Sequence, residues 1–373
     1  MALLCHGSGG RQTGSFRLRA EPQRLRAGLP PANRASILQE IFVTDTTLDI
    51  IAIGNALVDV LSPAADEFLA AEGLTAGAMQ LIDADQATAL YSRMGPGREI
   101  SGGSAGNTLA GAAMMGARCA FIGQVAKDQL GEVYMHDLKS QGIDFTVAPR
   151  EADIPTGRCL ILVSPDGQRT MNTYLGAAQF LPASAVDEAQ VASAKVLLLE
   201  GYLWDPAEPR AAMKAAIRMA RKAGRQVALG VSAVFCILNH LEDFRALVND
   251  GDIDILFANE EELLAFTGLE GFEAAVAALA PKVPLLVATR GAGGAIAVRN
   301  GERFHVPAEP VARVVDTTGA GDLFSAGYLV GHVQGRPVAE CLTMGAIAAA
   351  EVISHYGARP EQDLKQLIAA RLG

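Results

Sequence analysis

The chain has 373 residues, of which 50% are hydrophobic and 19% charged, which excludes disorder as its main state and leaves room for one large α/β domain or two smaller ones. Its formal charge of −10 gives no cation excess to replace the counterions of a nucleic acid. The five cysteines (Cys5, Cys119, Cys159, Cys236, Cys341) are far apart and form no C-x-x-C pair, and no long uninterrupted apolar run occurs, so a disulfide framework, a zinc site and a membrane span are not expected.

Residues 1–42 differ from the rest. They hold Arg11, Arg17, Arg19, Arg24, Arg26 and Arg34, no lysine, and only Glu21 and Glu40 as acids. Such an Arg-rich, acid-poor leader reads either as an organelle transit peptide or as an extension outside the native protein, which would then begin at Val43.

In the body, residues 49–53 (DIIAI) form an apolar run closed by Gly54, a predicted buried strand. Gly54-Asn55-Ala56-Leu57-Val58-Asp59 follows it. Gly102-Gly103-Ser104-Ala105-Gly106-Asn107 opens a small-residue helix predicted over 104–116. Asn and Asp beside glycines at strand ends suit vicinal hydroxyls, because a carboxylate accepts two O–H bonds and an amide can donate or accept. A strand over 119–125 and an amphipathic helix over 128–140 come next. Residues 143–176 then alternate, with turns at Pro155-Thr156-Gly157 and Pro165-Asp166-Gly167, and predict exposed antiparallel hairpins. Apolar strands at 196–200, 227–231, 255–258 and 285–289 alternate with helices near 209–223, 240–249 and 260–280. This rhythm implies a parallel sheet covered on both faces. A hairpin of 295–298 and 303–306 around Asn300-Gly301 precedes two long helices, 319–334 and 336–356.

Three segments follow strands or open helices late in the chain. Asn259-Glu260-Glu261-Glu262 stands at the C-terminal sheet edge, where ligands bind in such folds. Asn259 can orient phosphate or water, and Glu262 can hold Mg²⁺ through water, an arrangement that suits an ion reluctant to lose its hydration shell. The same residues also make an ordinary charged helix start. Thr289-Arg290-Gly291-Ala292-Gly293-Gly294 lets the backbone approach phosphates, or is a plain turn. The strongest segment is Asp316-Thr317-Thr318-Gly319-Ala320-Gly321-Asp322. Gly-Ala-Gly at a helix start leaves accessible N–H groups that hold anions, and Asp322 then lies where it can take a proton from a nucleophile attacking a phosphate. The competing reading is an N-cap with an acid in the first turn. No Gly-Lys pair occurs for a P-loop, and no H-R-D or D-F-G set for a protein kinase.

This set, in this order, resembles the ribokinase (PfkB-type) carbohydrate and nucleoside kinases over residues 48–370. The resemblance implies a kinase domain over 43–373 with a three-layer α/β/α architecture, a mostly parallel sheet and a small β lid made of segments 75–101 and 143–176. It implies Asp322 as general base and Gly319, Ala320 and Gly321 as anion hole. Asn259 and Glu262 would serve phosphate and Mg²⁺. Thr289, Gly291 and Gly294 would line the ATP site, and Asn55, Asp59, Gly102, Gly103 and Asn107 would hold the acceptor. A K⁺ ion on the carbonyl groups of Asp316 and Thr318 stays open. Within the family the chain is most similar to bacterial adenosine-kinase-like members, through GNALVD, TGRCLILVSPDGQRTMNTYLGA, EGYLWD and Phe235-Cys236. It departs from them at Val231-Ser232-Ala233-Val234, where an Asp is expected. The implied reaction is ATP- and Mg²⁺-dependent phosphorylation of a primary hydroxyl by a cytoplasmic monomer or homodimer. Adenosine is the leading acceptor, with Tyr174, Leu203 and Trp204 as candidate base-pocket walls. A free sugar is the alternative, with Arg158 or Arg169 available to a sugar acid. A silent nucleotide-binding regulator is the third reading.

Overall fold

The computed structural model describes residues 47–373 apart from Ala152 and Asp166; the expectations for residues 1–42 and a start at Val43 lie outside the described residues. The strands, in chain order, are β1 (Leu48–Ile53), β2 (Leu57–Pro63), β3 (Met79–Leu81), β4 (Arg98–Ser101), β5 (Cys119–Ile122), β6 (Ile143–Phe145), β7 (Gly157–Val163), β8 (Arg169–Tyr174), β9 (Ala194–Glu200), β10 (Gln226–Gly230), β11 (Ile255–Asn259), β12 (Leu285–Thr289), β13 (Ala295–Arg299) and β14 (Glu302–Val306).

Nine of them form one sheet in the order β14-β13-β12-β11-β10-β9-β1-β5-β6. It is parallel from β12 to β6, and β13 and β14 add an antiparallel hairpin at one edge. The central strands are apolar without alternation: Ile50, Ile51, Ala52 and Ile53 are all fully buried. Only a sheet with helices on both faces gives such strands a dry environment. The chain is therefore an α/β fold with a mostly parallel sheet, as the resemblance implies. No single described helix is long and apolar enough to cross a membrane.

The other five strands form a smaller sheet in the order β3-β8-β7-β2-β4. The chain steps directly from β1 in the large sheet to β2 in the small one through Gly54-Asn55-Ala56. It returns from β4 through Gly102 and Gly103 into the helix Ser104–Met114. Both junctions carry predicted acceptor residues, so the two sheets meet where the acceptor set lies.

Some expectations need correction. Residues 143–145 belong to the edge of the large sheet, where β6 pairs in parallel with β5, and not to the hairpin region. β2 lies inside the small sheet between β7 and β4, although its residues fall outside both predicted lid segments. The 260–280 helix is two, Glu260–Thr267 and Phe272–Leu279, because Gly268 closes the first in a left-handed C-cap. The helix expected at 240–249 starts earlier, at Val234, and is kinked at His240. The last long helix stops at Val352, and Leu364–Leu372 forms a further helix.

Candidate active site

A cavity of about 820 Å³ opens between the two sheets. The heptad forms its floor. Gly319 caps the helix Ala320–Val333 in a left-handed conformation (φ 79°), and a Cβ there would lie 2.7 Å from Ala358 Cβ. The Ala320 N–H closes a turn onto Thr317 O at 3.2 Å, and the Leu323 N–H returns to Gly319 O at 2.8 Å. The amides of Gly321 and Asp322 are left without an intrahelical acceptor, as first-turn amides are. A Cβ on Gly321 would meet nothing within 4 Å, so the space above that amide is free for a ligand atom.

Asp322 stands one residue into this turn. Ser104 Oγ donates to its Oδ1 at 2.5 Å and Asn107 Nδ2 to its Oδ2 at 2.9 Å. Burial holds its carboxyl above the ordinary range, against those two donors and the Arg359 guanidinium. The acceptor set surrounds it. Asn55 and Asn107 are 2% and 5% exposed, and the Oδ1 of each is buried without a hydrogen-bond partner among the described residues. Asp59, on β2, faces the same space, and burial pushes its carboxyl up to about 7 despite Arg359 and Arg169 nearby. Gly103 is on the wall and Gly102 is not; Gly102 lies directly behind Asp59, where a Cβ would overlap the carboxylate.

At the other end, Asn259 and Glu262 both line the cavity and bond each other in a capping box. Glu262 N–H donates to Asn259 Oδ1 at 2.9 Å, and Asn259 N–H and Nδ2 donate to the two Glu262 oxygens, each at 2.9 Å. The cap and the candidate ligand are therefore the same pair. Burial raises the Glu262 carboxyl. Thr289, Gly291 and Thr318 are on the wall. Gly294 is not: its left-handed backbone (φ 82°) packs against Val306 O, so this glycine serves the hairpin and not the cavity. Asp316 is also off the wall. It is buried against Arg169 (2.7 Å) and accepts from Thr318 N–H and Gly357 N–H, each at 3.0 Å.

Among the described residues no group of three or more His, Cys, Asp or Glu is placed to share a metal ion. One buried carboxylate at the wall, Glu262, fits an ion that keeps its waters. No Lys, Arg or His lines the cavity among the described residues, so bound phosphates would rely on backbone amides and the metal.

The proposed base-pocket walls are displaced. Trp204 and Leu203 are fully buried, and the Trp204 ring packs tilted against Phe244 (5.5 Å) while its Nε1 donates to Asp243 at 3.1 Å. Neither they nor Tyr174 reach the cavity. The apolar wall is instead Tyr202 and Phe235, 5.9 Å apart, with Met79, Leu81, Ile161 and Met171 from the small sheet. The departing segment Val231–Val234 contributes Ser232, which sits on the wall with φ 74°.

Glu200, at the end of β9, was not singled out by sequence. It accepts from Asn55 Nδ2 (2.7 Å), Asn55 N–H (3.2 Å) and Ala105 N–H (2.8 Å), and burial pushes its carboxyl up to about 7. It holds Asn55 and the start of the Ser104–Met114 helix in place. Its signal was there to be read: a lone acid ending the run Val-Leu-Leu-Leu-Glu-Gly at the ligand-binding edge of a parallel sheet.

An anion-binding helix start, a carboxylate beside it and a separate cluster of hydroxyl acceptors are the working parts of an enzyme that moves a phosphoryl group onto an alcohol. The family model described as pfkB family carbohydrate kinase matches residues 66–364, and the chain belongs to that family. It is similar to the crystal structure of adenosine kinase from Sinorhizobium meliloti (46% identical, TM-score 0.81, covering 87% of this chain and 98% of that one). It is also similar to a probable sugar kinase protein from Rhizobium etli (42% identical, TM-score 0.82, covering 87% and 99%). Adenosine kinase from Saccharomyces cerevisiae is 28% identical over 333 residues, which cover 83% of this chain and 96% of that protein. The chain is thus a phosphotransferase acting on the alcohol group of a nucleoside or sugar.

Proposed function

We propose that the acceptor is a nucleoside, adenosine, phosphorylated on its primary hydroxyl. The observation that carries this reading is the acceptor end of the cavity. The lining combines hydroxyl acceptors (Asn55 Oδ1, Asn107 Oδ1, the Asp59 carboxylate) with an apolar surface made by Tyr202 and Phe235 and, from the small sheet that also carries Asp59, Met79, Leu81, Ile161 and Met171. A free sugar has nothing to place against that wall, whereas a purine has a face. A sugar acid would need a cation. Arg169 is engaged by Asp316, and Arg158 donates to Thr88 Oγ1 and lies over the Tyr91 ring at 5.5 Å. The 46% identity to an adenosine kinase supports the same reading.

When bound, ATP supplies the phosphoryl group and Mg²⁺ offsets its charge. Glu262 and Asn259 would hold the metal and phosphate end, with Thr289 and Gly291 beside the nucleotide. The amides of Gly319 and Gly321 would face the charge that develops on the transferred group, whereas the Ala320 amide, expected to share that role, is turned onto Thr317 O. Asp59, Asn55 and Asn107 orient the ribose hydroxyls. Asp322 takes the proton of the attacking hydroxyl late, as its acidity rises, so no high pKa is demanded of it. The small sheet acts as a lid that excludes water from this step. The carbonyl groups of Asp316 and Thr318 are the candidate K⁺ ligands, tested by turnover with Na⁺ in place of K⁺.

The test is competing kinetics with ATP across adenosine, ribose, fructose and a sugar acid. Stacking of a base contributes roughly 1–3 kcal/mol, so kcat/KM for adenosine is expected at least about tenfold above each free sugar. A sugar that wins defeats the nucleoside reading and leaves the kinase in place. No turnover with any acceptor would favour a nucleotide-binding regulator.

A further inference from the structure

We infer that Arg359 is a positioning residue that sets the acceptor loop, residues 101–107 (the end of β4, the Gly102-Gly103 link and the first turn of the Ser104–Met114 helix), against the phosphoryl end of the site. The inference rests on the reading that this loop holds the acceptor. Three consecutive residues near the C-terminus touch both halves of the site. Gly357 N–H donates to Asp316 Oδ2 at 3.0 Å, at the head of the heptad. Ala358 backs Gly319, leaving no room for a side chain there. The Arg359 guanidinium then crosses to the acceptor loop. Its Nε and Nη2 donate to Ser101 O at 3.1 and 2.6 Å, Nη2 also reaches Ser101 Oγ at 2.8 Å, and Nη1 donates to Gly106 O at 2.8 Å.

The two carbonyl groups bracket the Gly102-Gly103-Ser104-Ala105 turn, so the planar fork fixes the width of the turn as well as its position. Asp137 holds the same loop from the other side: its carboxylate accepts from Ser101 N–H at 3.1 Å and from the Ser101 hydroxyl. From the loop so held, Ser104 and Asn107 reach Asp322. Arg359 makes no hydrogen bond to the base and positions it through these residues. It is also a cation whose field reaches both Asp59 and Asp322. The other ionisable groups facing this cluster are Tyr134 and Asp137 around Arg359, Arg169 and Cys159 on the Asp59 side, and Glu200 and Tyr202 on the Asp322 side. A lysine would keep the charge and lose the fork; a glutamine would lose both.

The experiment takes the full chain and whichever acceptor the wild type turns over best. It compares Arg359→Lys, Arg359→Gln and, as a control on the site, Asp59→Ala. Both Arg359 variants are expected to lose about tenfold or more in acceptor kcat/KM, the scale of charge-assisted hydrogen bonds lost. Their KM for ATP should stay within about twofold of wild type, since the nucleotide end is untouched. In Arg359→Gln alone, the acidic limb of the acceptor kcat/KM profile should move to higher pH, because Asp59 and Asp322 have lost their shared cation. A merely structural role would lower the melting temperature and the active fraction without splitting the two KM values or moving the limb. If Arg359→Gln does not fold, Arg359→Lys is read together with hydrogen exchange, which should quicken over 101–107 and not over 320–333. The inference is overturned if Asp59→Ala raises acceptor KM while the Arg359 variants do not, or if the KM values for ATP and acceptor rise together. Asp59→Ala without effect on the acceptor would instead overturn the placement of the acceptor in this loop.

Discussion

At the scale of the residue, the site spends stability on function. Asp322 is expected to be the base, so Asp322→Asn, which keeps the shape and cannot take a proton, should lower kcat by about 10²–10⁴-fold while ATP affinity changes little. Single-turnover rates and nucleotide titration check the two halves of that expectation. A variant with near wild-type turnover removes Asp322 from the mechanism. Asp59 gives a pH signature. Its folded carboxyl is raised to about 7 from 3.8, chiefly by burial, so between those values the folded state holds a proton that the unfolded state has released. Its contribution is therefore favourable below about 4, fades as pH rises, and is lost through about 7. Asp59→Asn is neutral throughout. Its melting temperature relative to wild type, without ligands, should climb from pH 4 to pH 7 and then level off. A difference independent of pH would show that Asp59 ionises normally. Glu200, raised to a similar value, is present in both proteins and cancels in the comparison. Such residues were only partly legible in the sequence. Asn55, Asp59, Asn107 and Asp322 stood in glycine-rich segments at strand ends. Arg359 did not, because its role comes from a partner 258 positions away; Glu200 carried a signal at its strand end, but its partner Ala105 lies 95 positions away. Trp204 was a candidate wall through the EGYLWD resemblance, but sequence does not say that Asp243 takes its N–H and turns it inward.

At the scale of the element, the start of the Ala320–Val333 helix separates packing from chemistry within three residues. Gly319 needs a left-handed backbone and has Ala358 against it, so Gly319→Ala should unfold at clearly lower denaturant. Gly321 is already helical and open. Gly321→Ala should be as stable as wild type or gain up to about 1 kcal/mol of helix propensity. It should nevertheless lose phosphoryl transfer, because its methyl group stands where a phosphate oxygen must approach the amide. Denaturant curves and turnover on the two variants decide this. If Gly321→Ala keeps its activity, the open space above that amide is not where the phosphoryl group passes. Elements with uninterrupted apolar runs were legible: β1, β5, β9, β10, β11 and β12 all lie where hydrophobicity put them, within a few residues. The Glu260–Thr267 and Phe272–Leu279 pair was read as one helix because apolar residues keep a helical spacing on both sides of the break. β2, β3 and β4 were passed over as strands, being short or half-polar members of a sheet whose pairing is set by distant partners.

At the scale of the whole molecule, the arrangement of two sheets around one cavity was implied by the family resemblance and not by periodicity. Strand order is a long-range property: β9 lies beside β1, 146 residues earlier at the Ile50–Val196 pair, and nothing local encodes that. One buried ion pair ties the small sheet to the segment that opens the Ala320–Val333 helix. Arg169 on β8 of the small sheet meets Asp316, at the entrance to the Ala320–Val333 helix, at 2.7 Å with both side chains 5% exposed. Removing one partner of such a pair strands a charge and typically costs about 3–5 kcal/mol. Asp316 keeps two amide donors, from Thr318 and Gly357, so the lower end of that range applies to Arg169→Met. Adding Asp316→Asn removes the stranded charge, and the double variant should recover part of the loss, as paired replacement of buried ions often does. Urea unfolding of the four proteins without ligands closes the cycle. If Arg169→Met costs less than about 1 kcal/mol, the pair behaves like an exposed one and does not hold the small sheet down. If the single variant is destabilised and the double variant is worse still, Asp316 is held by its amides rather than by Arg169, and the small sheet is held by its other contacts, among them Arg359 to Ser101 O.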